Sequence, residues 1–133
     1  MSPTGFSRWA DRSKRNHENV NQMKQFIYLF RGGHLTYTPE ELVEFRQQWE
    51  DYKNMLGTNS QYNGSDPLVE FTGKQVKAGG IITDGPFTEG KEIVGGYLSM
   101  NAHSMEEAVE LAKTCPILLN PNGSIEVREV IKM

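Results

Sequence analysis

Hydrophobic positions change period several times along this chain. Residues 25–31 (QFIYLFR) set Phe26, Tyr28 and Phe30 against Ile27 and Leu29. That two-residue period predicts a strand with apolar side chains on both faces. Thr38-Pro39-Glu40-Glu41 then carries the marks of a helix start: a capping Thr, Pro in the first turn and Glu three residues on. Leu42, Phe45, Trp49, Tyr52 and Leu56 follow at helical spacing, opposite Glu44, Gln47, Glu50, Asp51 and Asn54, and Gly57 is a plausible stop.

Residues 58–66 (TNSQYNGSD) read as a loop by composition, and 67–71 as a short strand. Segments 74–78 and 81–83 flank Gly79-Gly80, a hairpin signal. Asp84-Gly85-Pro86 predicts a turn. Residues 92–101 predict a strand broken at Gly95-Gly96, with Val94, Leu98 and Met100 on one face and Ile93 and Tyr97 on the other. Ser104 and Glu107 predict a second capping box, followed by the apolar stripe Ala108, Leu111, Ala112 and Cys115, and Pro116 ends the helix. After the turn cluster at 120–123, residues 124–131 alternate as a last strand.

The order is β-α-β-β-β-β-α-β. Setting the short middle hairpin aside leaves β-α-β-β-α-β, an α+β ferredoxin-like sandwich. Helices cover one sheet face in that architecture, while the first strand is apolar on both. A second copy packed sheet to sheet is the simplest cover, so a homodimer is expected; an extended N-terminal tail laid on the sheet is the competing cover.

Composition narrows the classes. The chain has 133 residues, suiting one domain, with 23% charged residues and a formal net charge of −3. A nucleic-acid binder is disfavoured by that balance. No apolar run reaches the roughly 18 residues of a membrane helix. One cysteine excludes a disulfide scaffold. Residues 1–22 form a polar N-terminal extension with four basic and two acidic residues, a formal +2; residues 23–133 hold ten basic and fifteen acidic, a formal −5. The extension lacks the apolar segment of a secretory signal, so a cytoplasmic location is expected. It reads as a disordered segment, or as one that docks on the acidic body or on an anionic partner. Met23 is a candidate second start.

Thr83-Asp84-Gly85-Pro86-Phe87 resembles the DGPF branch of the YCII-related domain family. The likeness continues at Glu89, Lys91-Glu92 and Gly95-Gly96-Tyr97. It includes Met23-Lys24-Gln25-Phe26 and Phe30-Arg31-Gly32-Gly33, and later Glu107-Ala108, Cys115-Pro116 and Glu126-Val127-Arg128, spanning about residues 23–131. The resemblance implies a ferredoxin-like dimeric α+β barrel. Members elsewhere in the wider family include a dehydrochlorinase acting on a hydroxylated aromatic, and the site proposed there uses a histidine near the start of the first helix with an acidic partner. Residues 38–57 of this chain contain no histidine; Trp49 and Tyr52 stand there.

Candidate chemistry gathers at three places. Asp84 either forms a tight turn with Phe87 plugging the core, or faces a pocket as a general base, with Glu89 and Glu92 as further carboxylates and Lys91 holding an anionic substrate or pairing with a neighbour. Arg31-Gly32-Gly33-His34 follows a strand end: a glycine turn with two solvated side chains, or a site where Arg31 grips a carboxylate and His34 exchanges protons. Trp49 and Tyr52 are core, or the wall of a pocket for a flat ligand. His17, His34 and His103 match no zinc spacing, so no metal is expected, and no phosphate or dinucleotide motif calls for a cofactor. Cys115 reads as a buried residue at a helix end.

Two functions lead, ahead of a third reading as a stress-related structural dimer with no ligand. One is a small-molecule enzyme or ligand-binding protein with a pocket between sheet and helix, running a cofactor-independent lyase- or isomerase-type proton transfer. The other is a non-catalytic regulatory or protein-interaction module.

Overall fold

Alternation in the first apolar run becomes strand β1 (Lys24–Arg31), which buries Phe26, Tyr28 and Phe30 and leaves Gln25, Ile27, Leu29 and Arg31 half-buried on the other face. The computed structural model describes residues 22–32, 37–69, 72–84 and 93–133. Helix α1 (Pro39–Thr58) starts as its sequence predicts. The Glu41 N–H donates to Thr38 Oγ1 (3.1 Å) and the Thr38 N–H donates to Glu41 Oε1 (2.9 Å), a complete capping box. Hydrogen bonds to its carboxylate from the Thr38 backbone N–H, first, and from the Thr38 side chain hold Glu41 below its usual 4.5. The helix runs one residue past Gly57 and turns back through Ser60, whose φ of 59° is left-handed.

Residues 58–66 correct the loop expectation, because Tyr62–Pro67 is strand β2. Its polar sequence YNGSDP has little intrinsic strand preference. Pairing supplies what propensity lacks. β2 lies antiparallel to β5 (Val94–Ala102), and Asn63, at a register shift, donates to Ser99 Oγ (3.3 Å) and Asn101 Oδ1 (3.0 Å). Tyr97 Oη donates to Asp66 Oδ2 at 2.6 Å. Pro67 is tolerated because it closes an edge strand. Leu68 and Val69, expected in a strand, lie beyond it; Glu70 and Phe71 fall outside the described residues.

β3 (Lys74–Lys77) and β4 (Ile81–Asp84) make the expected hairpin across Gly79 and Gly80, both at left-handed φ. Every residue of it is exposed except the intermediate Thr83. β5 runs unbroken through the glycine pair. Phe30 faces Gly96 and Arg31 faces Val94, so Gly95 is a bulge rather than a break. Its inward residues are Gly96, Leu98, Met100 and Ala102, with Tyr97 on the opposite face.

Helix α2 (Met105–Ala112) begins with half of the expected box. Ser104 Oγ accepts the Glu107 N–H (3.1 Å), but Glu107 Oε1 takes the N–H of His103 (3.0 Å), one residue earlier. A 3-10 turn at Pro116–Leu119 leads to β6 (Ser124–Glu129). The main sheet has the order β2-β5-β1-β6, antiparallel at each pairing. That is the ferredoxin-like arrangement, with both helices following alternate strands and the hairpin as an insertion.

The core lies between this sheet and the helices. Phe26, Tyr28, Leu98, Met100 and Ala102 meet Tyr52 and Leu56 of α1 and Ala108, Ala112 and Cys115 behind α2. Two tyrosines tie α2 down. Tyr28 Oη donates to the Ala108 carbonyl (2.5 Å) and Tyr52 Oη to the Leu111 carbonyl (2.6 Å). Gly32, buried and left-handed at φ +74°, lets β1 end against Asn122, and its carbonyl accepts Asn120 Nδ2 at 2.7 Å.

Candidate ligand-binding cleft

The C-terminal half of α1 docks by Tyr52 and Leu56, which are buried; Leu42, Phe45 and Trp49 nearer its start are half-buried. Under that first half lies a cleft of about 650 Å³. Phe30, Phe45 and Trp49 form its aromatic wall, and Leu42, Leu68 and Ile117 extend the apolar surface. Trp49 meets Phe30 edge-on at 5.4 Å and Phe45 at 6.3 Å, while Tyr37 stacks on Phe45 at 4.9 Å. These contacts hold the rings as a rigid panel, since tilted and edge-on pairs are favoured geometries.

Gly95, Gly96 and Pro67 make the side opposite the helix. A Cβ on Gly96 would press on Asp66 O (3.1 Å), so that glycine admits the close approach of β2; a Cβ on Gly95 would meet nothing within 4 Å. Polar groups border the cleft. Arg46, Glu50 and Lys53 come from α1, and Ser65, Asp66 and Tyr97 from the sheet edge. Lys53 Nζ pairs with Glu50 Oε1 at 2.8 Å, and that bond raises the lysine above its ordinary 10.5. Tyr97 is likewise raised, mainly by its hydrogen bond to Asp66.

The residues singled out from sequence scatter. Trp49 is on the cleft wall. Tyr52 is 5% exposed and behind it, in the core, edge-on to Trp49. Arg31 falls on the opposite sheet face, because strand alternation groups it with Ile27 and Leu29, and its Nη1 pairs with Glu126 Oε1 at 2.7 Å. That pairing, reinforced by Arg128, holds the Glu126 carboxyl below its usual value. Asp84 lies on the exposed hairpin. Its side chain is 77% accessible and pairs with Lys74 at 2.5 Å, and it is not among the described residues that line the cleft. His34, Phe87, Glu89 and Lys91 lie outside the described residues.

Arg46, Lys53, Asp66 and Tyr97 were not anticipated, and Glu50 was assigned to the far side of the helix. For α1 a signal existed: Leu42, Phe45, Arg46, Trp49, Glu50 and Lys53 follow the three- and four-residue spacing of one helix face. For Asp66 none did, since its segment read as a loop. Cys115 is 2% exposed, and burial pushes its thiol up to about 12, which keeps it protonated and unreactive near neutrality. No helix among the described residues is long and apolar enough to cross a membrane. A search of the curated proteins finds no match; a family model, that of the YCII-related domain, matches residues 34–133.

Proposed function

The chain belongs to the YCII-related domain family, and on that footing we propose that it binds a small organic molecule in the cleft between α1 and the β2–β5 edge. One observation carries this: a hollow of about 650 Å³ walled by Phe30, Phe45 and Trp49, with polar groups at its border. Ligand sites generally have this size and this mix of apolar walls with few polar groups. The Asp66 carboxylate is turned to the Tyr97 hydroxyl on the open face of the sheet, and Asp84 does not line this cleft, so the reading is one of binding.

The chain has two tryptophans, Trp9 and Trp49. Trp9→Phe therefore leaves Trp49 as the sole indole, beside the cleft. Titration with a neutral planar probe such as 2-naphthamide should quench its emission saturably, and Trp49→Ala, followed by calorimetry, should weaken binding at least tenfold. Absence of saturable binding at millimolar probe would refute the reading.

We also propose that two copies pair through the open face of the sheet. Ile27 and Leu29 lie at its middle, with Tyr97 beside them, and no described element covers them. Around them run Gln25, Ser99, Asn63 and Asn101, joined by hydrogen bonds, and the Arg31–Glu126–Arg128 cluster. An apolar centre inside a polar rim is the anatomy of an interface, and a two-fold contact between identical patches needs both charge signs on each. Light scattering at micromolar concentration should give twice the 15.1 kDa chain mass, and Ile27→Arg should give the single mass. A monomeric wild type would overturn the pairing. If deletion of residues 1–22 then restored a dimer, the extension would be the cover instead.

A further inference from the structure

Resting on the cleft reading above, we propose that the ligand is a planar aromatic anion whose carboxylate is held by Arg46. The charged groups bordering the cleft are not equivalent. Glu50 and Lys53 neutralise each other at 2.8 Å. Asp66 accepts the Tyr97 hydroxyl at 2.6 Å. Arg46 makes no ion pair with any described residue: Glu50, four residues on and its natural helical partner, is taken by Lys53. Among the described residues, then, a guanidinium without an ion pair stands one helical turn from Trp49, at the border of the cleft that Phe45 also lines.

The chemistry of the two parts is complementary. A guanidinium offers paired N–H groups in a fixed plane, matched to the two oxygens of a carboxylate. The Phe45–Trp49–Phe30 panel offers apolar area to a ring attached to that carboxylate. Apolar walls on one side of the charge lower the local dielectric and strengthen the contact beyond a fully solvated pair.

The test uses full-length protein with Trp9→Phe and three probes of one shape: 2-naphthoate, neutral 2-naphthamide and cationic 2-naphthylmethylammonium, titrated by Trp49 emission at low salt. Naphthoate should bind at least tenfold more tightly than the amide, and the cation more weakly than both. Arg46→Gln should bring naphthoate to within about twofold of the amide, the loss falling mainly on naphthoate; Arg46→Lys should keep an intermediate preference. Arg46 is exposed, so a matching thermal melt verifies folding. Equal binding of naphthoate and amide, tighter binding of the cation, or a preference that survives Arg46→Gln would overturn the anion assignment while the cleft reading stands. Failure of all three probes would overturn both.

Discussion

Alkaline pH should unfold this domain through three buried acids, Tyr28, Tyr52 and Cys115, at 0%, 5% and 2% exposure. Burial pushes the Cys115 thiol from 9.0 to about 12 and raises both phenols above their ordinary 10.0. Each folded group keeps a proton that the unfolded chain has already released. The unfolded state then binds fewer protons, so stability falls as pH rises. Below pH 9 all three contributions are intact. Cys115 begins to cost near pH 9 and the tyrosines near pH 10, each by up to about 1.4 kcal/mol per pH unit while the pH lies between its two values. The slope should steepen from about 1.4 to about 4 kcal/mol per unit on crossing pH 10. A domain near the lower end of the usual range, about 5 kcal/mol, would unfold by about pH 11.

Urea midpoints followed by circular dichroism between pH 8 and 11 measure this directly. The Tyr28→Phe/Tyr52→Phe double variant removes two of the three ionisations and should cut the slope above pH 10 by about 2.7 kcal/mol per unit. Lysine deprotonation acts on both proteins alike, so the difference in slope isolates the tyrosines. Equal slopes for the two, or a wild-type stability that stays flat from pH 8 to 11, would refute the reasoning.

Further expectations concern the caps, the β1 terminus and the cleft. Thr38→Ala removes the Oγ1 acceptor of the Glu41 N–H, one of the two bonds of the α1 capping box, and should cost about 1 kcal/mol in urea unfolding. Glu41, held below its usual 4.5, contributes fully above that value, and its contribution fades as pH falls through the depressed one; the stability gap between wild type and Glu41→Gln should close in acid. Gly32→Ala places a Cβ against the Asn122 carbonyl at a left-handed φ and should cost roughly 2–4 kcal/mol, visible as a lowered thermal midpoint. Gly95→Leu, where a Cβ meets open space, should reduce 2-naphthamide affinity at least tenfold in calorimetry with the urea midpoint unchanged or raised.

What could be read from the sequence divides along local and non-local lines. Thr38, Pro39 and Glu41 act within one turn, so the start of α1 was legible to the residue. Phe26, Tyr28 and Phe30 alternate within a single strand, and Gly79-Gly80 defines its own hairpin. β2 was illegible because nothing in Tyr62–Pro67 favours a strand until β5 lies beside it. The cleft failed for the same reason. Asp66 and Arg46 stand 20 positions apart and share one hollow only after α1 folds across the sheet edge. Asp84 drew attention through its turn chemistry, which is local, whereas facing a pocket is a tertiary property. The sequence places Arg31 at a strand end but on no particular face, because nothing local says which side of a doubly apolar strand the helices will cover.

The two glycines opposite α1 bear on whether the cleft is a site or a packing remnant. α1 has 20 residues, about 30 Å of helix, and it buries only the side chains of its second half deeply. Nearer its start it carries Phe45 and Trp49 above a strip of Gly95, Gly96 and Pro67, where large rings face backbone. Gly96 has a structural reason to be glycine, since Asp66 O would crowd any side chain there. Gly95 has none of that kind: its φ is not left-handed and a Cβ would have free space. An aliphatic side chain at Gly95 could bury apolar surface, at about 25 cal/mol per Å², and close part of the hollow. With glycine at this position, that space stays open to something that is not part of the chain. The same strip places the opening beside Arg46, so the shape of the cleft and the cation at its border arise from the same crossing of α1 over the sheet edge.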